Sequence, residues 1–279
     1  MRTPKLLIFT ENPLLYSVKR LWTEAQFLSL NIQNENPFKD FSHQSLNDCD
    51  IILNRISGIR YTDTDLDLCA SKLAFNDPHK TLALRDKSKQ ARFFTDNSIA
   101  HPQTQSLDDF MQLSSQTIKA PYMVKPLRGN QGRGILYIDG NEKLEAFYRE
   151  KKEQSDTRYI VQSFVKKIRE WRILFIGTEC LGALEKTELS LIANASKVKC
   201  QYREVSELPK ALIELSLMTH AQSGLFYSGI DMIEDENQNF IVLEINTTPG
   251  FEVFEKESKL NIAKNLLEQM LKERRRNLS

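Results

Sequence analysis

Apolar residues near the start of the chain form short runs that alternate between strand spacing and helix spacing. Residues 6–9 are four consecutive apolar residues, and residues 51–53 form a second apolar run. Between them, residues 14–28 place apolar side chains along one face of a helix. A strand, a helix and a further strand in this order predict the beginning of an α/β domain, in which the polar residues 31–50 form a loop.

The middle of the chain has a different pattern. Asp86 is placed to cap a helix that runs to about residue 97, and His101 before Pro102 ends that segment, because a residue that precedes proline disfavours helix. From residue 121 the pattern predicts a strand at 122–125, a glycine-rich loop at 129–134, a strand at 135–138 and a helix at 141–152. This order predicts a small α+β unit.

The last part of the chain is rich in closely spaced strand patterns. Residues 159–165, 171–176 and 180–186 predict strands of an antiparallel sheet. A helix over 206–222 ends at Gly224, strands follow around Ile230 and over 241–245, and a final helix covers 262–273. The whole pattern predicts an N-terminal α/β unit over residues 1–84, a central unit over 85–157 and a C-terminal unit over 158–279.

Composition narrows the function classes. The chain has 38 basic and 37 acidic side chains, so no large field of one sign directs it to nucleic acid. The apolar run at 6–9 is too short for a signal peptide, and no run of about 18 apolar residues could span a membrane. The four cysteines form no Cys-x-x-Cys pair. We therefore expect a cytoplasmic protein with structural thiols and with neither a membrane nor a nucleic-acid partner.

One motif combines a lysine with a glycine-rich loop. Lys125 stands at the end of a predicted strand and is followed by Gly129, Gly132 and Gly134. Glycine allows backbone N–H groups to approach an anion closely, so the arrangement fits phosphate binding. A glycine-rich hairpin beside a solvated lysine has the same pattern, and the motif alone leaves both interpretations open.

A second motif brings three oxygen donors together. Glu244 and Asn246 are two residues apart in a predicted strand and project from one face, while Asp231 can lie on the neighbouring antiparallel strand. Two carboxylates and an amide oxygen, with positions left for water and phosphate, suit Mg²⁺ held by a nucleotide. A solvent-facing acidic hairpin is the alternative. The apolar residues around Glu244 argue against it, because a charge in an apolar strand costs free energy unless it has a partner.

These motifs follow one another in the order and approximate spacing of the ATP-grasp enzymes, and the chain resembles the RimK-type glutamate ligases of that superfamily. Such ligases attach glutamate to a carboxyl terminus of a protein or small molecule. The resemblance implies an ATP-grasp fold of α/β and α+β class, with an N-terminal pre-ATP-grasp domain and two ATP-grasp subdomains. It is carried by Asn54-Arg55-Ile56, Arg85-Asp86-Lys87, Lys125 with its glycine loop, Val161-Gln162, Arg172, Glu185, Asp231, Glu244-x-Asn246, Pro249-Gly250-Phe251-Glu252, Glu255-Lys256 and Ile262-Ala263.

The resemblance also implies a role for each residue. Lys87 and Lys125 would contact the nucleotide phosphates under a flap formed by the glycine loop, and residues 162–165 would hold adenine. Glu170 would accept the ribose hydroxyls. Arg172 and Lys125 are the implied catalytic residues beside the transferred phosphate, and the metal ligands are those named above. The residues implied for the nucleotide are Lys87, Lys125, Gly129, Gly132, Gly134, Gln162, Ser163, Phe164, Val165, Glu170, Lys186 and Asn194.

Four positions depart from the RimK-type pattern. Ser163 stands where the family has glutamate, Lys186 where it has arginine, and Ile192-Ala193-Asn194 where it has Arg-Ser-Asn. Lysine replaces a planar fork of donors with a point charge. These departures bear on the substrate more than on ATP binding.

The implied reaction is an ADP-forming ligation, in which a carboxylate is activated as an acyl phosphate and an amine then displaces phosphate. ATP and Mg²⁺, with Mn²⁺ as a substitute, are the implied cofactors. The implied partners are an amino acid, expected to be glutamate, and a carboxyl-bearing small molecule, peptide or protein C-terminus, and the resemblance allows a homo-oligomer. Two alternatives stay open: a ligase for another amino acid or peptide, and a synapsin-like module that binds nucleotide without turnover.

Overall fold

The computed structural model describes residues 3–39, 43–56, 69, 71–112, 118–127, 134–154, 157–188 and 199–277. Its first sheet is parallel, with the strand order β2-β1-β3-β4. The interiors of β1 and β3 are buried apolar runs, as expected for parallel strands that are covered on both faces. The elements of this unit are β1 (Lys5–Phe9), α1 (Tyr16–Phe27), β2 (Asn31–Glu35), α2 (His43–Asp48), β3 (Ile51–Asn54) and β4 (Leu73–Phe75).

Residues 31–50 are not the loop that their polarity predicts. β2 pairs with β1 from Lys5–Asn31 to Phe9–Glu35, and α2 begins at His43. Only Ile32 of β2 is fully buried. An edge strand of this kind is fixed mainly by backbone pairing with its neighbour, so its side chains carry little of the alternation that a sequence reading relies on. The loop prediction is therefore wrong.

The second sheet is antiparallel, with the strand order β5-β8-β6-β7. The helix predicted after Asp86 is present, and the Asp86 side chain caps it by accepting the N–H groups of Ser88 and Lys89. The elements up to β8 are α3 (Pro78–Arg85), α4 (Lys87–Asp96), β5 (Thr104–Ser106), α5 (Leu107–Gln112), β6 (Tyr122–Pro126), β7 (Leu136–Ile138), α6 (Asn141–Gln154) and β8 (Tyr159–Ser163).

The third sheet is antiparallel, with the strand order β11-β10-β9-β12-β13. The helix that precedes β12 ends at Gly224 with φ 59°, which is the left-handed cap predicted there. The elements are β9 (Lys167–Ile176), β10 (Glu179–Lys186), β11 (Cys200–Arg203), a 3₁₀ turn (Val205–Glu207), α7 (Lys210–Ser223), β12 (Tyr227–Asp235), β13 (Phe240–Asn246), α8 (Glu252–Ser258) and α9 (Ile262–Arg276).

The central strand β9 divides its side chains between core and site. Trp171, Ile173 and Phe175 pack into one core cluster, to which Leu212 of α7 also belongs. On the opposite face, Leu174 joins the core that the third sheet shares with the first sheet. Glu170 and Arg172 precede Leu174 on that face, because strand side chains alternate. The same strand therefore anchors the sheet and carries polar residues.

The three sheets follow one another in the order of the three predicted units. β8 lies beyond the boundary predicted at residues 157–158 but pairs in the second sheet. The domain boundaries stay a prediction. Within the described ranges, no helix combines the length and apolar character needed to cross a membrane.

Candidate active site

A row of charged side chains crosses three neighbouring strands of the third sheet. Arg172 of β9 lies opposite Asp231 of β12, which lies opposite Glu244 of β13. Asn246 follows two residues later, opposite Gly229. The sequence-predicted placement of the two carboxylates on adjacent antiparallel strands is confirmed.

A β-bulge directs Glu244 into this row. The register shifts so that Asp231 faces Glu244 while the next residue, Met232, faces Val242. Leu243 is thus the extra residue, because in a regular strand without a bulge Val242 and Glu244 would share a face. The bulge allows Val242 to pack in the core with Met232 while Glu244 lies beside Asp231.

Asp231 is held by Arg172 in a two-point ion pair. Arg172 Nε donates to Oδ1 and Nη2 donates to Oδ2, each at 2.7 Å. This pairing raises the pKa of the Arg172 guanidinium above its usual value. Arg172 therefore occupies both oxygens that Asp231 would offer to a cation.

The donor set fits Mg²⁺ by its chemistry, since hard oxygen ligands from two carboxylates and an amide are what this ion takes. In the described part of the chain, no three His, Cys, Asp or Glu side chains lie close enough to hold a metal. Asn246 Oδ1 accepts the N–H of Thr248 at 3.0 Å. A cation bound here would share the Asp231 carboxylate with the Arg172 guanidinium, whose positive charge opposes cation binding.

Two lysines meet Glu244 around a small cavity between α4, the second sheet and β13. Lys87 is the first residue of α4, and Lys125 lies in β6. The Lys125 ammonium donates to Gln162 Oε1 at 2.6 Å, and Gln162 Nε2 donates to Thr104 Oγ1 at 2.8 Å. The cavity measures about 20 Å³ and is lined by Lys87, Gln90, Ala91, Phe94, Thr104, Lys125, Ile160, Gln162, Leu243 and Glu244.

The pKa of Lys125 is lowered to about 8, mainly by burial and in part by the neighbouring Lys87, while Glu244 opposes the shift. Lys125 is therefore partly neutral in mildly alkaline solution. An anionic ligand would restore its charge, because a nearby negative charge favours the protonated amine.

Nucleotide affinity is expected to fall as the pH rises through about 8, the pKa of Lys125. Below this pH the side chain is a cation that attracts the phosphates, and above it the charge is lost. The affinity should fall at least about tenfold, since a hydrogen bond to a charged group contributes about 1.5–3 kcal/mol. Titration with a fluorescent ATP analogue from about pH 7 to about pH 9.5 measures it.

Lys125→Arg is the matched control, because arginine stays charged throughout this range. Its affinity should stay level while that of the wild-type chain falls. Parallel pH profiles for the two proteins would show that a group other than Lys125 titrates.

Glu170 lies between two lysines. Its side chain is buried, and it accepts from the Lys186 ammonium across the strand pair and from the Lys167 ammonium on its own strand. Both oxygens that the resemblance assigns to the ribose hydroxyls thus have lysine partners. Lys167 was missed by sequence reasoning, and its only signal is its position three residues before Glu170.

The segment predicted to hold adenine leaves the end of β8. The N–H of Ser163 donates to the Gln103 carbonyl at 2.9 Å, and the N–H of Phe164 donates to the Pro121 carbonyl at 3.1 Å. The Phe164 ring makes an edge contact with the Tyr137 ring at 5.1 Å between centroids. Adenine recognition here would fall to carbonyl groups and to Val165, and the role stays a prediction.

Gly134 has a conformation that favours glycine. Its φ is +75°, and an added Cβ would lie 2.9 Å from Pro126 Cγ, closer than real Cβ atoms come to another heavy atom. Gly129, Gly132 and Asn194 lie outside the described residues, as does Ile192.

The structure adds Gln90 and Thr104 to the predicted residues. Gln90 follows Lys87 by three residues on α4, a spacing that places two side chains on one helix face, so this signal could have found it. Thr104 gives no such signal, because its three-residue strand has no apolar pattern.

A parallel N-terminal sheet followed by two antiparallel sheets, with lysines facing a carboxylate row between the latter two, defines a protein of the ATP-grasp class. Residues 84–270 match the RimK-like ATP-grasp domain, and the chain belongs to this family. A probable alpha-L-glutamate ligase of Legionella pneumophila (strain Corby) is 26% identical over 96% of this chain and 95% of its own length. The tetrahydromethanopterin:alpha-L-glutamate ligase of Methanococcus maripaludis is 28% identical over 63% of this chain and 61% of its own length.

Solved structures share the fold. A RimK domain ATP-grasp protein of Sphaerobacter thermophilus has a TM-score of 0.74 at 15% identity, over 95% of this chain and 98% of its own. A D-alanine--D-alanine ligase of Bacillus anthracis, complexed with ATP, has a TM-score of 0.71 at 15% identity, over 99% and 98%. The predicted family, fold class and ligase class are confirmed, and ATP with Mg²⁺ is general to the ATP-grasp fold.

Proposed function

We propose that this chain is an ADP-forming carboxylate–amine ligase that adds glutamate to a carboxyl acceptor. The observation that carries the proposal is a cavity around which Lys87, Lys125 and Glu244 meet. Glu244 lies on the same strand as Asn246 and next to the Arg172–Asp231 pair. Cations for phosphate oxygens and oxygen donors for a metal thus lie side by side.

The residues of this chain supply position and charge. Bound ATP and Mg²⁺ supply the phosphoryl group and the charge compensation that turn a carboxylate into a reactive acyl phosphate, from which an amine takes the acyl group. Lys87 and Lys125 hold phosphate oxygens, and Arg172 stabilises the negative charge that develops during transfer. Asp231, Glu244 and Asn246 would hold the metal, and Mn²⁺ should substitute for Mg²⁺ because it takes similar oxygen ligands.

The substrate proposal draws on relatives of this chain. Both relatives described above are named as alpha-L-glutamate ligases, and one of the names includes tetrahydromethanopterin. The fold neighbour PsnB has been solved with a precursor peptide and AMPPNP. The names of the two ligases are consistent with glutamate as the amine. The acceptor would be a peptide, a protein C-terminus or a carboxyl-bearing small molecule.

The experiment that tests this proposal combines two readouts. The protein is incubated with ATP, Mg²⁺, a panel of amino acids and a panel of carboxyl acceptors. ADP release is followed, and mass spectrometry detects the amide product. We expect ADP release that depends on glutamate and on one class of acceptor, with hydroxylamine trapping the activated acceptor as its hydroxamate.

The contrary outcomes are distinct. Release of AMP and pyrophosphate would overturn the ligase mechanism. Preference for another amino acid would remove only the glutamate assignment. ATP binding without any product on the full panel would favour the synapsin-like alternative.

A further inference from the structure

The side-chain amide of Gln90 forms a two-way bridge to the backbone of Ile245. Its Oε1 accepts the Ile245 N–H at 3.1 Å, and its Nε2 donates to the Ile245 carbonyl at 3.0 Å. Nε2 also donates to the carbonyl of Leu84. Gln90 is only 5% exposed, so these bonds are made out of contact with water. Losing them would leave buried backbone groups unsatisfied.

The bridge reaches β13 between two of the proposed metal ligands. Ile245 separates Glu244 from Asn246, and β13 is the edge strand of its sheet. The outward backbone groups of an edge strand have no partner strand. Gln90 supplies a donor and an acceptor to the same residue, which is what a neighbouring antiparallel strand would do. The Gln90 amide thus replaces a strand at the metal site.

The same helix carries one of the phosphate-binding lysines. Lys87 and Gln90 both line the cavity that Glu244 borders. A displacement of β13 along α4 would therefore change the separation between Lys87 and the two ligands on the strand. Gln90 fixes the position of β13 along α4 through hydrogen bonds, which have a defined direction that apolar packing lacks.

Residues from the N-terminal part of the chain also hold the segment that follows Asn246. The Asn76 amide donates to the carbonyls of Tyr227 and Thr247 and accepts the N–H groups of Phe226 and Tyr227. Two arginines add further hydrogen bonds to this segment. Arg85 donates to the hydroxyls of Thr247 and Thr248, and Arg55 donates to the carbonyl of Pro249. Movement of β13 is thus restricted on both sides of Asn246.

We propose that Gln90 is a positioning residue for the metal site, setting the register of β13 against α4 so that Glu244 and Asn246 meet the metal that the phosphates bring. The inference rests on the proposed function, because the metal and the reaction belong to it. Gln90 bonds only to protein backbone in the contacts described, so its effect should act through Glu244 and Asn246.

The test replaces Gln90 with methionine, which keeps the length and apolar volume of the side chain but loses its hydrogen bonds. Mn²⁺ binding to the protein with a non-hydrolysable ATP analogue, measured by electron paramagnetic resonance, should weaken about 10- to 100-fold, as for other residues that orient metal ligands. Affinity for the analogue in the presence of EDTA should change less than about threefold, since the lysines remain.

Thr219→Val is the matched control. Thr219 is fully buried and donates to the Leu215 carbonyl at 2.7 Å inside α7, so its replacement also removes a buried hydrogen bond. It should lower the melting temperature and leave Mn²⁺ binding unchanged. If Gln90→Met lowers the melting temperature in the same way and binds Mn²⁺ as the wild type does, Gln90 is only structural and the inference is overturned.

Gln90→Glu keeps the test decisive should the methionine variant fail to fold. A protonated glutamic acid can accept the Ile245 N–H and donate its one O–H to the Ile245 carbonyl, whereas the carboxylate can only accept. Mn²⁺ binding by this variant, relative to wild type, should be restored as the pH is lowered and lost as it is raised. A constant ratio would overturn the inference. Absence of Mn²⁺–nucleotide binding in the wild-type chain would overturn the proposed function itself.

Discussion

Replacing Glu244 with glutamine is expected to abolish ligase turnover while the protein stays folded. The variant removes one negative charge from the metal site and keeps the size of the side chain, so it makes no cavity. ADP release should fall by about 10³-fold or more, because the loss of one preorganised electrostatic contact already costs about 10²–10³. The measurement is the initial rate of ADP release at saturating ATP, together with the melting temperature.

Glu236→Gln is the control for this variant. Glu236 is exposed in the β12–β13 hairpin and pairs only with Lys166 at 2.6 Å in the part of the chain that the structure describes. Its replacement should leave the rate unchanged. Wild-type ADP release by Glu244→Gln would mean that the metal ligands lie elsewhere.

Arg172→Met should have two opposite effects. ADP release should fall by about 10³–10⁵-fold, the range found when an arginine that stabilises phosphoryl transfer is absent. Mn²⁺ binding without nucleotide should become tighter, because Asp231 loses the two 2.7 Å hydrogen bonds that occupy its oxygens. Steady-state kinetics and electron paramagnetic resonance of Mn²⁺ measure the two effects separately.

Arg169→Met provides the comparison on the same strand. Its side chain is 51% exposed and lies 3.8 Å from Glu185 and 3.7 Å from Glu234. Arg169 is half-exposed and both distances exceed that of a hydrogen bond, so neither the rate nor Mn²⁺ binding should change. Weaker Mn²⁺ binding by Arg172→Met would contradict the view that Arg172 competes with the cation.

The sequence predicts the strand positions of Asp231, Glu244 and Asn246 far better than it predicts the partners of their side chains. A strand has a period of two, so Glu244 and Asn246 can be placed on one face and Asp231 on the next strand without coordinates. The pairing of Asp231 with Arg172 depends on the register of β9 against β12, which follows from contacts among residues about sixty positions apart in the chain. No local pattern contains that register.

The bulge at Leu243 and the bridge from Gln90 illustrate the same limit. A bulge is one extra residue in one strand, and in β13 the extra residue is one of four consecutive apolar residues before Glu244, so nothing in the sequence marks it. In the sequence, Gln90 looks like one more polar residue on the surface of a helix, although in the structure only 5% of its surface is exposed. Its burial becomes visible only when the edge of β13 is placed against α4.

The cavity between Lys125 and Glu244 has a kinetic consequence. At about 20 Å³ it has room for about one water molecule, so no phosphate group of ATP can lie inside it while its walls hold this separation. Entry would require the second sheet and β13 to part first. The observed association rate should then level off at high ATP concentration, at the rate of opening, and the measured affinity would be the intrinsic one reduced by the open fraction. Departure of ADP would pass through the same motion, so opening can limit the whole catalytic cycle.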